Sequence, residues 1–436
     1  MLTVSGCAGD PRTAQYLPPV NTFPGKWVQT LEPAQPIPDL WRLVDEPGVK
    51  ALLRIALERS PSLAQVALRV AEADALFRGQ RGSLWPTFSF RGQPSRTRAN
   101  GASVDSGRLV AFSNWELDLW GRLRAGTTAS AAAAQASQAD LQGARNALAG
   151  RVLRTLLELA FSDAIIAVEL RRIEVLTLNQ SLIRERYLVG LGPLADLEAA
   201  RTSLAQSEAA LLDRQERFSR LLRALRVTAG DYSLSPQVPA PFPVTLPAAP
   251  LPLLVLGARP DVAAAVARAK AAGAQASAAQ RALLPSLSLS FDHTRAAQTL
   301  DAALTAAGLT TVLLDATAPL FRGGTLRAER DRTGAAARRE AQALRETVLI
   351  ALQEVDDALV LESSLTAQRE ARERAQRYAR SNRTLFESRY RDGVANVFDL
   401  LNAQQSAFDA EVALLNTQLR QNQNRVDLGL ALGLGL

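Results

Sequence analysis

Residues able to do covalent chemistry are scarce in this chain. Its 436 residues include one cysteine (Cys7), one histidine (His293) and one methionine (Met1). That supply excludes a disulfide framework, a Cys/His zinc site, an iron–sulfur cluster and any histidine-dependent triad away from residue 293. No nucleophile stands beside a base in a usable pattern, so neither an enzyme nor a bound cofactor or metal is expected. The polar residues whose spacing does stand out are Tyr187, Gly190 and Asp196, with the same types again at Tyr390, Gly393 and Asp399. Glycine accepts the positive φ that ends a helix, and a carboxylate just beyond it favours the start of the next one. On spacing alone Asp196 and Asp399 read as helix caps.

These motifs belong to a duplication. Residues 179–212 align with 382–415 without a gap, and 13 of those 34 positions are identical. Earlier in each copy, Ser60-Pro61 through Phe90 matches Arg259-Pro260 through Leu289, which places Pro86 and Pro285 alike. Leu119-Trp120-Gly121 likewise resembles Leu320-Phe321-Arg322, and seven prolines between Pro236 and Pro252 separate the copies. Such internal similarity outweighs any single motif.

Composition and periodicity set the elements. Hydrophobic residues are 47% but aromatics only 5%, the profile of Ala- and Leu-rich helices packed through small side chains. The net charge is +7, and lysine occurs only at 26, 50 and 270. The dominant arginines alternate with acids, as at Glu216–Arg220, Glu370–Arg374 and Glu373–Arg377. That spacing suits a solvated helix face, and without interleaved aromatics nucleic acid is not an expected partner. No apolar run of about 18 residues would make a spanning helix.

The reading is therefore mixed α and β, mostly α, with one helix-strand-strand-long helix-helix unit used twice. Residues 1–46 form an extended Pro-rich arm, 47–230 the first repeat, 231–258 a Pro-rich linker and 259–436 the second repeat. The opening helices are expected at about 47–80 and 260–281. Alternation such as Phe88-Ser89-Phe90, Trp115–Leu119 and Leu287–Phe291 predicts strands at about 84–97, 107–120, 283–296 and 308–321. Apolar residues every three or four positions predict long helices at about 123–189, 194–228, 325–391 and 396–428. The longest would reach roughly 95 Å at 1.5 Å per residue, which calls for coiled-coil packing. Four amphipathic strands cannot close a barrel, because that takes about eight or more; three copies would supply twelve. A coiled-coil scaffold without a channel is the rival reading.

The duplicated Tyr-x-x-Gly…Asp-Leu…Ala…Ser…Glu tips, the strand prolines and the Leu-Gly-rich end Leu428–Leu436 resemble the outer-membrane factor (TolC-like) family. Val4-Ser5-Gly6-Cys7 is similar to a lipobox, with lipid attachment at Cys7, and points to the lipoprotein branch. Ala8 after the cysteine resembles the pattern for outer-membrane delivery. The resemblance implies a homotrimer in which a twelve-strand outer-membrane barrel continues into a periplasmic helical barrel. It further implies the passive exit duct of a tripartite efflux pump for drugs or other small molecules. A periplasmic adaptor and an inner-membrane transporter, of the RND type, would be its partners. The alternative within the family is the outer-membrane component of type I protein secretion.

The resemblance also carries residues across. Asp196 matches the tip aspartate of the first half, and Tyr390 the tyrosine that it contacts. Asp399 matches the first of two acidic ring positions, but the second is Asn402 here, and Ala395 stands where an arginine helps lock the gate. Tyr187, Gly190, Gly393 and Phe398 complete the expected tip. Pro86, Trp115, Trp120, Pro285 and Phe321 are expected at the barrel ends, where aromatic girdles meet lipid headgroups. His293 reads as an exposed bystander.

Overall fold

The computed structural model describes residues 24–29, 34–99 and 101–436. Cys7, and with it the expected lipid attachment, lies outside the described residues.

The first helical segment is divided. The helix expected at about 47–80 is two, α1 (Pro47–Arg59) and α2 (Pro61–Gly82). Pro61 has no N–H to continue the ladder, and Ser60 before it is extended at φ −62° and ψ 118°. Strands β1 (Thr87–Ala99) and β2 (Ala102–Leu117) follow, then helices α3 (Arg122–Leu188) and α4 (Leu194–Ala229). The Pro-rich linker holds one short helix, α5 (Pro252–Ala258), which Pro252 begins. The second repeat runs α6 (Pro260–Arg281), β3 (Ser286–Ala297), the short α7 (Leu300–Thr305), β4 (Gly308–Thr317), α8 (Thr325–Arg391) and α9 (Val397–Ala431). The helices α3 and α8 have the same length, 67 residues, about 100 Å each.

The strand limits differ from the expected ones for local reasons. The β1–β2 ladder runs on to the pairing of Ala99 with Ala102, where Gly101 takes a left-handed φ of 83°, along a largely polar stretch that apolar alternation does not mark as strand. At its other end β2 stops at Leu117 rather than 120, where the Asp118 carboxylate starts α3 by accepting the N–H groups of Leu123 and Arg124 at 3.0 and 2.8 Å. Strand β4 stops at Thr317, two residues before Pro319, which has no N–H for a ladder.

Contacts divide the chain into two compact units. The first holds Ala67–Asp140 and Asp261–Thr347 and contains the whole sheet. Its order is β1-β2-β3-β4, antiparallel throughout, so the β2–β3 ladder joins the two repeats. The register aligns the alternation across all four strands. Phe88 and Phe90 share a face with Trp115 and Leu117 of β2, with Leu287, Leu289 and Phe291 of β3, and with Val312 and Leu314 of β4. The opposite face carries Ser89, Arg91, Asn114, Glu116, Ser288, Ser290, Thr311 and Asp315. The first face is mainly apolar near the strand ends that lead to the helices and the second mainly polar there, although Val110, Phe112, Leu309 and Leu313 lie on the second face and Ser113, His293 and Arg295 on the first.

The second unit holds Leu141–Pro260, Val348–Leu436 and the described residues of Phe23–Val66. Its core joins Leu153, Leu156 and Leu157 of α3 to Leu225 of α4 and Val426 of α9. The arm is packed into it: Leu40, Leu43 and Val44 are buried, and Leu40 N–H donates to Gly435 O at 2.8 Å. The arm also pairs Gln35 with Pro247 of the linker.

Candidate functional sites at the helix tips and the strand ends

The repeated Tyr-x-x-Gly motif is a backbone device. In the first copy Gly190 N–H donates to Tyr187 O at 3.0 Å and Leu191 N–H to Arg186 O at 2.8 Å. In the second, Gly393 N–H donates to Tyr390 O at 3.1 Å and Val394 N–H to Arg389 O at 2.8 Å. Both are Schellman caps, and both need a left-handed residue, supplied by Gly190 at φ 76° and Gly393 at φ 73°. Each tyrosine thus serves first through its carbonyl. Their side chains part company: Tyr187 is 38% exposed, whereas Tyr390 packs against the apolar cluster that includes Ile183 and Leu197, with the Arg186 guanidinium 5.3 Å from its ring centroid.

The return helices start differently in the two copies. Asn396 caps α9 by accepting the N–H of Asp399 at 2.9 Å, while Pro193 precedes α4 with no side-chain cap. Asp196 and Asp399 both sit in the first turn, where a negative charge opposes the helix dipole favourably. Neither carboxylate accepts a hydrogen bond among the described residues. Within one chain the described residues show no hydrogen bond between Asp196 and Tyr390, and the Arg186 guanidinium lies over the Tyr390 ring face. Phe398 is 50% exposed, and Asn402 is exposed one turn beyond Asp399.

What ties the coils together near the tips is a polar set not anticipated from the sequence. Asn179 of α3 donates to Gln404 Oε1 of α9 at 2.6 Å, and Gln404 Nε2 donates to Glu387 Oε1 of α8 at 3.3 Å. Gln404 is 2% exposed. One turn further, the buried Phe408 ring lies between the guanidiniums of Arg172 and Arg383, 5.4 and 5.5 Å from its centroid. Buried acids recur along both coils. Glu169 receives Arg214 at 3.0 Å, and Glu362 receives Arg425 at 2.8 Å, with Gln421 and Asn424 completing its shell. A signal was present: Gln404 interrupts the apolar series Val397, Leu400, Leu401, Ala407, Phe408 at a core position, where a polar side chain needs a partner.

At the strand ends the two tryptophans are fastened by their ring N–H groups. Trp115 donates to Leu84 O at 3.0 Å and Trp120 to Pro285 O at 2.7 Å. Pro86 and Pro285 immediately precede β1 and β3, and Phe321 is 88% exposed just after β4. His293 lies within β3, beside Thr310 across the β3–β4 ladder at 2.9 Å.

Duplicated coils with glycine-capped tips, and a four-stranded sheet with one apolar face, define a component of a membrane channel. Known proteins agree. The family model for outer membrane efflux proteins matches residues 52–231 and 251–434. The pyoverdine export outer membrane protein OpmQ of Pseudomonas putida is 29% identical over 435 residues, spanning 94% of this chain and 92% of OpmQ. The toluene efflux pump outer membrane protein TtgC of the same species is 28% identical, spanning 91% of this chain and 85% of its own. The open state of the Neisseria gonorrhoeae MtrE outer membrane channel superposes with a TM-score of 0.87 at 24% identity, covering 96% of each chain. The chain belongs to the outer membrane efflux protein family, and it is an exit duct of the outer membrane.

Proposed function

We propose that three copies of this chain close into one duct that passes small molecules outward without chemical change. A single observation carries the reading. In one chain β1 and β4 each have a strand neighbour on one side only, and large apolar side chains of one face stand bare, with Phe88 80%, Val312 65% and Leu314 60% exposed. Unpaired strand edges cannot stand in lipid, and twelve strands from three chains remove them. The apolar face then meets the membrane and the polar face lines water. A periplasmic adaptor docks on the helix tips, and an inner-membrane transporter of the RND type supplies the cargo. Relatives named for pyoverdine export and toluene efflux support a small-molecule cargo. Lipid on Cys7 anchors the arm.

The test is direct. Detergent-purified protein should run as a trimer and conduct ions in planar bilayers, and Cys7→Ala should lose a lipid adduct by mass spectrometry while keeping its conductance. A monomer that is stable without detergent and conducts nothing would sink the reading in favour of a coiled-coil scaffold. Identification of the co-purifying transporter separates small-molecule efflux from protein secretion.

A further inference from the structure

Helices α4 and α8 are the outer members of the coil in the second unit. Arg214 of α4 reaches Glu169 of α3, Asn179 of α3 reaches Gln404 of α9, and Gln404 reaches Glu387 of α8. No hydrogen bond or ion pair joins α4 to α8 among the described residues. Besides the residues it buries, each carries a second stripe that the chain leaves open. On α8 this is Ala371, Ala375 and Tyr378, and on α4 it is Ala205, Ala209 and Leu212. All six are exposed, Tyr378 at 72% and Leu212 at 66%. Both stripes keep the four-then-three spacing of a coiled-coil seam.

The stripes also match in height. Residues equally far from the tip meet across this coil. Glu169 stands 19 residues before Leu188, the last of α3, and its partner Arg214 stands 20 after Leu194, the first of α4. Glu362 and Arg425 pair in the same way, 29 and 28 residues from the tip ends of α8 and α9. On that scale the α8 stripe lies at 20, 16 and 13 and the α4 stripe at 11, 15 and 18, so each set fills the gaps of the other. Charges complete the fit. Arg372 and Arg374 border the α8 stripe, Asp213 and Glu208 border the α4 stripe, and none of the four has a side-chain partner among the described residues. Arg372 and Asp213 both stand 19 residues from the tip.

We propose that α8 of one copy packs against α4 of a second copy along these stripes, antiparallel, with Arg372 paired to Asp213. The occupant is another copy of this chain because both halves of the fit, apolar and charged, are present in one molecule on flanks that are not bonded to each other. A contact between two different surfaces repeats from copy to copy and closes into a ring when the rotation allows it. The assignment rests on the three-copy reading and names the helical surface that joins the copies. Exposed ion pairs add little energy, but like charges at a wrong register are excluded, so the pair fixes which residues face each other.

Disulfide trapping in the full chain tests the seam, in detergent and in a Cys7→Ala background. Ala209→Cys with Ala375→Cys places two thiols one residue apart in height on facing stripes, and oxidation should give covalent trimers on denaturing gels. Ala209→Cys with Leu361→Cys sets the thiols roughly 22 Å apart along the axis, beyond the reach of a disulfide, and should give none. Asp213→Arg added to the first pair should lower the covalent yield about fivefold, the weight of one exposed ion pair, and Arg372→Glu added in turn should restore it. All these side chains are exposed, so the replacements leave the fold intact. A disulfide that closes within one chain overturns the seam, as does the absence of covalent product from protein that light scattering shows to be trimeric. Monomeric protein overturns the three-copy reading as well. A yield that Asp213→Arg leaves unchanged overturns the charge pairing.

Discussion

Asn179 and Gln404 come from different repeats, 225 residues apart, and their side chains meet at 2.6 Å. Gln404 is nearly sealed from water and passes the connection on to Glu387. Three helices, α3, α9 and α8, are thus joined by one amide. Any rearrangement that separates these helices has to break such a link or carry it along. Gln404→Leu fits the apolar stripe but leaves Asn179 and Glu387 each short of a partner, a cost of about 1–3 kcal/mol. We expect a lower apparent melting temperature and a several-fold rise in single-channel conductance. A variant that melts lower and conducts as before would assign the amide to stability alone.

The two tip glycines make a cleaner test of backbone conformation. A Cβ built at Gly190 or Gly393 has no neighbour within 4 Å, so alanine there meets no steric obstacle beyond its own left-handed φ. Gly190→Ala and Gly393→Ala should each cost about 1–2 kcal/mol, read as faster amide hydrogen exchange over the last turns of α3 and α8. Equal exchange in variant and parent would mean that the caps do not depend on glycine.

Asp399 distinguishes gate from cap. Its carboxylate is half-buried in the first turn of α9 and accepts no hydrogen bond among the described residues. As a helix-dipole partner it contributes only about 0.3–1 kcal/mol. As one of three carboxylates around an axis it would repel its copies and draw cations. Asp399→Ala should raise conductance and weaken cation preference, measured by reversal potential under a salt gradient. Lower stability with both electrical properties unchanged would reduce Asp399 to a cap.

Asp118 predicts a pH dependence. Burial raises its pKa, but the N–H groups of Arg124 and Leu123 and the Arg124 guanidinium outweigh that and hold the carboxyl below its usual range. A depressed folded pKa means stability that is fully present above the unfolded value, near about 3.9, and lost as pH falls through the lower folded value. Asp118→Ala should cost about 1 kcal/mol at neutral pH, as loss of a helix cap does. The gap between parent and variant should close from about pH 4 downward. A gap that persists at lower pH would show that the carboxylate is not what starts α3.

Much of this architecture was legible in the chain because it rests on local rules and on repetition. The offset between Tyr187 and Tyr390 exposes the duplication. Proline placement marks where Pro61 and Pro260 begin helices, although apolar periodicity continues across Ser60-Pro61 and hides the break there. Tyr-x-x-Gly announces a helix end, because only glycine takes that φ without strain. Alternation at Phe88–Phe90 and Leu287–Phe291 announces strands with two unlike faces. None of these needs knowledge of what lies opposite.

Tertiary structure decided what depends on partners distant in sequence. Whether Asn179 faces Gln404, and whether the Arg186 guanidinium lies over the Tyr390 ring, are settled by how the coils are brought side by side. A buried amide or an unpaired guanidinium has the same one-letter code as a solvated one. The difference is the desolvation and pairing imposed by neighbours hundreds of residues away, and periodicity, which records only which side of its own helix or strand a residue occupies, carries no trace of it.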